Sequence, residues 1–261
     1  MKADDARADA LVLRDPWQAL RCLTPARIAL GRVGAGLPTA EVLRFGLAHA
    51  QAQDAVRRPF DTQGIASRLE QDGWATLGLA SRAATHEQYL LRPDLGRRLD
   101  DASAARLDAL AAEGGAADLV FVAADGLSSL AAERHAPALL AALRPLLPGG
   151  QRIGPIVVAR QARVALGDEI GERLGATIVV VLIGERPGLS SPDSLGLYLT
   201  HAPRVGRVDA ERNCISNVRV EGLAPARAAA RLGWLIAESM RRGLSGVKLK
   251  DASAAASGTA P

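Results

Sequence analysis

The run Ile178-Val-Val-Val-Leu-Ile183 stops at Gly184, and glycine, proline and serine then dominate as far as Pro192. A short, β-branched run bounded by turn residues reads as a buried central strand. The stretch after it suits neither a helix nor a strand. The chain therefore leaves the sheet at the carboxyl end of a strand and stays irregular, the place where open α/β sheets hold their ligands. This loop carries Glu185, Arg186 and Asp193. A second polar block, Asp209-Ala-Glu-Arg-Asn-Cys-Ile-Ser-Asn217, reads as another polar loop beside the buried strand, where function concentrates.

Further strands are expected at 75–80, 118–124, 153–159 and 195–200, around the one at 176–183. Helices are expected at 39–53, 62–71, 103–113, 166–174 and 225–242, and one more runs from Ser128 or Ser129 as its cap to about 147. Val42, Leu43, Leu47 and Ala50 form the apolar face of the first; Ala229, Leu232, Ile236 and Met240 form that of the last. Asp15 caps an earlier helix with Pro16 at its first position, and Gly175 closes the helix at 166–174. Strands alternating with helices imply an α/β fold with a parallel sheet and right-handed crossovers. Residues 1–10 read as a frayed start and 251–261 as a disordered tail.

Composition narrows the function. The 261 residues are 48% hydrophobic and 23% charged, enough for a sizeable core in one large domain with a smaller attachment. The net charge of +4 comes from scattered pairs such as Arg57-Arg58, Arg97-Arg98 and Arg241-Arg242, which read as solvated faces. With aromatics at 3%, stacking platforms for nucleic acid are not expected. Cys22 and Cys214 give neither a disulfide framework nor a metal spacing, so a reducing compartment is expected. No apolar stretch follows a basic start and no run reaches bilayer length, so neither a signal peptide nor a membrane partner is expected, and the location is the cytoplasm.

No catalytic constellation stands out. His49, His86, His135 and His201 lack metal-ligand spacing, and neither a Walker sequence nor a Gly-x-Ser-x-Gly elbow is present. Gly31-Arg-Val-Gly-Ala-Gly36 has the wrong spacing for a dinucleotide fingerprint and follows no strand; it reads as a glycine-rich arm against another surface. Asp125 stands between a strand and a helix, as a ligand contact or as a turn stabiliser in equal measure. Glu185 has the better site argument, because it follows the most apolar strand and Gly184 admits close backbone approach; its alternative is an ion pair with Arg186 or another arginine. An arginine near Cys214 would favour a thiolate, but without a histidine partner a contact role is preferred over a nucleophile. On spacing alone the chain is a ligand-binding α/β protein, with no catalytic and no metal-ligating residue assigned.

Several blocks resemble the small (light) subunit of ethanolamine ammonia-lyase. They are Tyr89-Leu-Leu-Arg-Pro-Asp-Leu-Gly-Arg-Arg-Leu99, Asp125-Gly-Leu-Ser128, Arg163-Val164-Ala165, Gly171-Glu172, Leu174-Gly175-Ala176, Gly184-Glu-Arg-Pro-Gly-Leu189, Ser194-Leu195 and the block 209–217. The likeness covers roughly 26–250 and is weakest at the short N-terminus. It implies a Rossmann-like, doubly wound, mostly parallel sheet with a small N-terminal helical segment: an arm at 1–60, a cobalamin-binding domain at 61–250 and the tail at 251–261. It implies an ammonia-lyase that converts ethanolamine to acetaldehyde and ammonia with adenosylcobalamin. In it this chain clamps the cofactor and a TIM-barrel large subunit holds the substrate, in a hexamer of heterodimers. It implies cofactor contacts at Val164, Glu185 and Cys214. Asp-x-His-x-x-Gly, which supplies a cobalt ligand in some cobalamin proteins, is missing, as the family's retained benzimidazole ligand requires. A bacterial microcompartment is the alternative address. The competing readings are a stand-alone nucleotide-binding enzyme working through Gly31–Gly36 and a ligand-free scaffold.

Overall fold

The computed structural model describes residues 11–114 and 117–253. The expected frayed start at 1–10, and the part of the expected tail at 251–261 that follows residue 253, lie outside the described residues; Asp251 pairs with Arg231 and accepts the Ser253 N–H. Within them the chain packs as two compact units, 11–54 with 188–192 and 55–187 with 193–253.

The smaller unit opens as expected at Asp15, whose carboxylate accepts from the Trp17 N–H (2.8 Å), with Pro16 leading the helical turn. The segment Pro16–Leu23 is a 3₁₀ helix rather than an α-helix. Antiparallel bridges join Leu13 to Arg32 and Val33 to Gly36. The helix α1 (Thr39–Arg57) comes next, and its last turn, from Ala55, belongs to the larger unit. The expected inward face of α1 is instead exposed: Val42, Leu43 and Leu47 are 51%, 67% and 61% accessible. The apolar residues of its first turns, Phe45 among them, are spread around the helix and present no single stripe to a core.

The larger unit runs α2 (Thr62–Gln71), β1 (Thr76–Ala80), α3 (His86–Leu91), α4 (Asp101–Ala112), β2 (Leu119–Ala124), α5 (Ser129–Leu143), β3 (Ile156–Arg160), α6 (Leu166–Arg173), β4 (Ile178–Gly184), β5 (Leu195–His201), β6 (Arg212–Val218) and α7 (Pro225–Arg242). Local chemistry sets these ends. Asp61, Thr85, Asp100 and Ser128 each accept a backbone N–H at the start of a helix. Ser128, not Ser129, caps α5. That helix ends at Leu143, short of the expected 147, because Pro145 sits in a 3₁₀ turn directly after it. Gly175, left-handed at φ 60°, closes α6 as expected.

The six strands form one sheet in the order β1-β3-β2-β4-β5-β6. β1, β3, β2 and β4 pair in parallel. β5 pairs antiparallel with both β4 and β6, so the fold is α/β with a mixed sheet: a four-stranded parallel part, as expected, carrying an antiparallel pair that was not. The cause is the connection between β4 and β5. A parallel return needs a crossover of a dozen or more residues, usually helical. The Gly/Pro/Ser-rich stretch from Glu185 to Ser194 is too short and forms no helix, so the chain turns back beside β4.

Side chains alternate into two apolar layers. Ile178, Val180 and Leu182 face α2, α5 and α7 with Leu197, Leu199 and Ile215. Val179, Val181 and Ile183 face α4 and α6 in the other layer, which half-buried Val164 and Tyr198 also enter. The block 209–217, expected as a loop, is a 3₁₀ turn leading into β6. As an edge strand it pairs only with β5 and buries Arg212, Ile215 and Val218 while its other side chains stay wet, so polar residues are tolerated there.

Candidate functional site

The end of β4 delivers Glu185 to the carboxyl edge of the sheet, half-buried. Its backbone N–H donates to the Ser194 carbonyl (2.9 Å). Its Oε2 accepts from the Ser194 hydroxyl (2.5 Å) and from the Asn217 N–H (3.3 Å). Asn217 is held left-handed (φ 58°), a conformation asparagine tolerates, as β6 ends. The expected alternative, a pair with Arg186 or another arginine, is not what occupies the carboxylate. Oε1 has no hydrogen-bond partner among the described residues. It lies over Gly196, where a Cβ would come within 3.0 Å of it.

Two strands away, Cys214 pairs across the ladder with Tyr198, which places the phenol and thiol side by side on one face. Although Cys214 is exposed as a residue, burial around the sulfur pushes the thiol up, the Tyr198 hydroxyl opposes this, and the Glu185 charge adds to the rise. Tyr198 is raised above its usual range, first by burial and then by Cys214 and Glu185. Cys214 is therefore a neutral thiol at neutral pH. Arg212, which sequence spacing offered as a thiolate partner, is committed elsewhere. It is buried and bidentate to Asp168 on α6 (2.5 and 2.7 Å), with the Thr200 hydroxyl as a further acceptor (2.9 Å). Asp193 also has a structural use, held by Arg134 (3.0 Å) and His135 (3.3 Å) on α5.

Val164 stands on the loop after β3. The Tyr89–Leu99 block holds this loop: the Arg163 N–H donates to the Gly96 carbonyl (2.8 Å), and its guanidinium donates to the Tyr89 carbonyl (3.0 Å) while lying 4.2 Å over the Tyr89 ring. The Tyr89 hydroxyl donates to the Ala162 carbonyl (3.1 Å). Val164 lines a cleft of about 370 Å³ with Pro93, Arg97, Ala165, Val208 and Arg212. Pockets that enclose drug-sized ligands run to roughly 300–1,000 Å³. This one is an open groove, and neither Glu185 nor Cys214 lines it.

Glu185 and Cys214 thus meet around Tyr198, and Val164 shares the apolar layer that Tyr198 enters. The three residues offer an apolar contact, a charged acceptor and a neutral thiol. None is a nucleophile paired with a base. Among the described residues no group of three histidine, cysteine, aspartate or glutamate side chains could hold a metal ion, and no helix is long and apolar enough to cross a membrane. Sequence reasoning missed Tyr198 and Asn217. Tyr198 sits in a strand expected only for its apolar pattern, and the two-residue alternation that puts it on the Cys214 face appears only once β6 is recognised as a strand.

Comparison with known proteins bears on this arrangement. The family described as ethanolamine ammonia-lyase light chain (EutC) matches residues 14–250. An ethanolamine ammonia-lyase small subunit of Ralstonia nicotianae is 58% identical over 252 residues, 95% of this chain and 93% of the relative. Those of Azotobacter vinelandii and Pseudomonas aeruginosa are 59% and 58% identical over 239 residues, 91% of this chain and 88% of each relative.

Proposed function

This chain belongs to the ethanolamine ammonia-lyase light-chain family, and from that premise we propose that it clamps adenosylcobalamin against a catalytic large subunit, in an enzyme that converts ethanolamine to acetaldehyde and ammonia. The carrying observation is the convergence of Glu185, Tyr198 and Cys214 on one face of β4–β6, with Val164 in the same layer. A corrinoid is broad, apolar across its ring and fringed by amide arms. These residues fit such a group: Val164 against the ring, Glu185 Oε1 accepting from an amide arm, and the Cys214 thiol as a soft contact. When bound, the cofactor supplies the radical chemistry, and the protein's part is to bind, orient and keep water out. The Ser194 hydroxyl and the Asn217 N–H serve that part by fixing Glu185 before any ligand arrives.

The sheet is read as a Rossmann-like, doubly wound core carrying an antiparallel pair, with the clamp at its carboxyl edge. The open groove calls for a second wall, which the large subunit supplies together with the substrate site. Trp17, Leu23, Leu43 and Leu47, 61–79% exposed, pack on that subunit. The assembly is a hexamer of such heterodimers in the cytoplasm, with a microcompartment as the other address. Co-expression with and without a family large subunit tests the reading. Deamination of ethanolamine that needs both chains and adenosylcobalamin supports it. Activity of this chain alone favours the stand-alone enzyme, and cofactor-dependent activity of the large subunit alone favours the scaffold; either result sinks the clamp.

A further inference from the structure

Asp125 stands just after β2, half-buried at the carboxyl edge of the sheet, and its carboxylate reaches the loop after β3. Oδ2 accepts the Gln161 N–H (2.6 Å); Oδ1 accepts the Ala162 N–H (3.0 Å) and the Gly126 N–H (2.8 Å). Gln161 is left-handed at φ 53°, a conformation that a residue with a β-carbon keeps only when its surroundings impose it. The loop is tied again by the Ser81 hydroxyl, which donates to the Gln161 carbonyl (2.7 Å), and by the Tyr89 hydroxyl on the Ala162 carbonyl (3.1 Å). Ala162 lies two residues before Val164.

The turn that Asp125 opens also meets the other loop of the clamp. The Leu127 N–H donates to the Gly184 carbonyl (3.0 Å). Gly126 and Gly184 approach so closely that a Cβ on Gly126 would overlap the Gly184 carbonyl oxygen, and one on Gly184 would overlap that of Ser128. Gly184 immediately precedes Glu185. One short turn thus grips the backbone ahead of two of the three expected cofactor contacts, Val164 and Glu185.

Resting on the cobalamin-clamp reading, we propose that Asp125 is a positioning residue: its carboxylate and the turn it opens lock the Val164 loop and the Glu185 loop into one unit, and through them set the affinity for the cofactor. Only a carboxylate can do this at full strength. Its two oxygens face three backbone donors, whereas asparagine has one oxygen and must turn its NH₂ toward a donor on one side.

The test uses the complex reconstituted with its large subunit. In Asp125→Asn, amide hydrogen exchange at Gln161 and Ala162 should quicken in the cofactor-free complex. The Kd for adenosylcobalamin should rise on the order of tenfold, about one hydrogen bond's worth of lost preorganisation. The ethanolamine KM at saturating cofactor should not change. Tyr89→Phe removes one tether of the same loop and should move both readouts in the same direction by less; it decides the matter if Asp125→Asn does not fold. Asp118→Asn, which breaks a pair with Arg152 at the far end of β2, should leave the affinity unchanged. Quicker exchange with an unaltered Kd overturns the proposal and leaves Asp125 a turn stabiliser. Unaltered exchange overturns the tether itself. A wild-type complex that takes up no cofactor defeats the clamp reading, and this proposal with it, whatever the exchange shows.

Discussion

Replacing Glu185 by alanine separates the two jobs its carboxylate can do. Oε2 ties the start of β5 and the end of β6 together by accepting from Ser194 and from Asn217, while Oε1 faces out over Gly196. A hydrogen bond to a charged group is worth about 1.5–3 kcal/mol when fully buried. Glu185 is only half-buried and the Asn217 contact is long, so the lost fold stability should be about 1–3 kcal/mol. For a domain of this size that lowers Tm by roughly 2–10 °C. If Oε1 accepts from a corrin amide, alanine also costs about 1–3 kcal/mol of cofactor binding, a ten- to hundredfold rise in Kd. Glu185→Gln should keep most of the stability, because its one oxygen is claimed by Ser194 and Asn217. It then turns NH₂ toward the ligand, so its affinity should fall between wild type and alanine. Ser194→Ala should lower Tm and, by loosening Glu185, raise Kd by less than Glu185→Ala does. The assay is a cofactor titration of the reconstituted complex beside a thermal melt of the same sample. Glu185→Ala with a lowered Tm and wild-type Kd would refute the ligand-facing role of Oε1.

Asp168→Ala should be the most damaging single truncation near the site. It strands the Arg212 guanidinium, 2% exposed, for about 3–5 kcal/mol, whereas Asp168→Leu with Arg212→Met should lie within about 1 kcal/mol of wild type; denaturant midpoints of the variants check this, and near-wild-type stability of Asp168→Ala would contradict it. Burial raises the Asp125 carboxyl to about 6, against the pull of the Gln161, Ala162 and Gly126 N–H groups. The folded state then holds a proton that the unfolded chain releases near pH 4, so this group's contribution to stability falls as pH rises between about 4 and 6, by at most about 3 kcal/mol; the difference between wild type and Asp125→Asn should follow that slope, and parallel profiles would exclude it. Leu43→Gln with Leu47→Gln on α1 should make the chain alone more soluble and weaken its co-elution with the large subunit; unchanged co-elution would remove α1 from that interface.

Much of the architecture was legible because it is written in local chemistry. Short apolar runs marked β2, β3 and β4, and the capping residues Asp15, Ser128 and Gly175 marked helix ends, all from spacings of a few residues. Glu185 was legible for the same reason: the end of an unmistakable strand tells where the next side chain emerges. β6 was not. An edge strand with one wet face needs only Ile215 and Val218 as apolar anchors, and among polar neighbours that pattern looks like a loop. The use of Asp125 was also hidden. Its acceptor oxygens meet amides at Gln161 and Ala162, which come within reach only because β2 and β3 lie side by side in parallel register. The apolar residues of α1 mark the opposite limit: Val42, Leu43 and Leu47 read as a core face but are exposed and spread around the helix.

The short link between β4 and β5 has a kinetic consequence. The parallel part of the sheet joins partners far apart in sequence, such as Thr76 with Ile156, and each such closure must be gained against chain entropy. The antiparallel part joins Gly184 with Leu195 and Thr200 with Arg212 across brief excursions. Local pairings of this kind form on faster timescales than non-local ones. In pulse-labelled refolding the amides of β5 and β6 should gain protection before those of β1; the reverse order would show that the long crossovers, not this meander, nucleate the sheet. The strands that deliver Glu185 and carry Cys214 would then come together early, and the proposed cofactor-facing surface would be laid down before the rest of the sheet closes behind it.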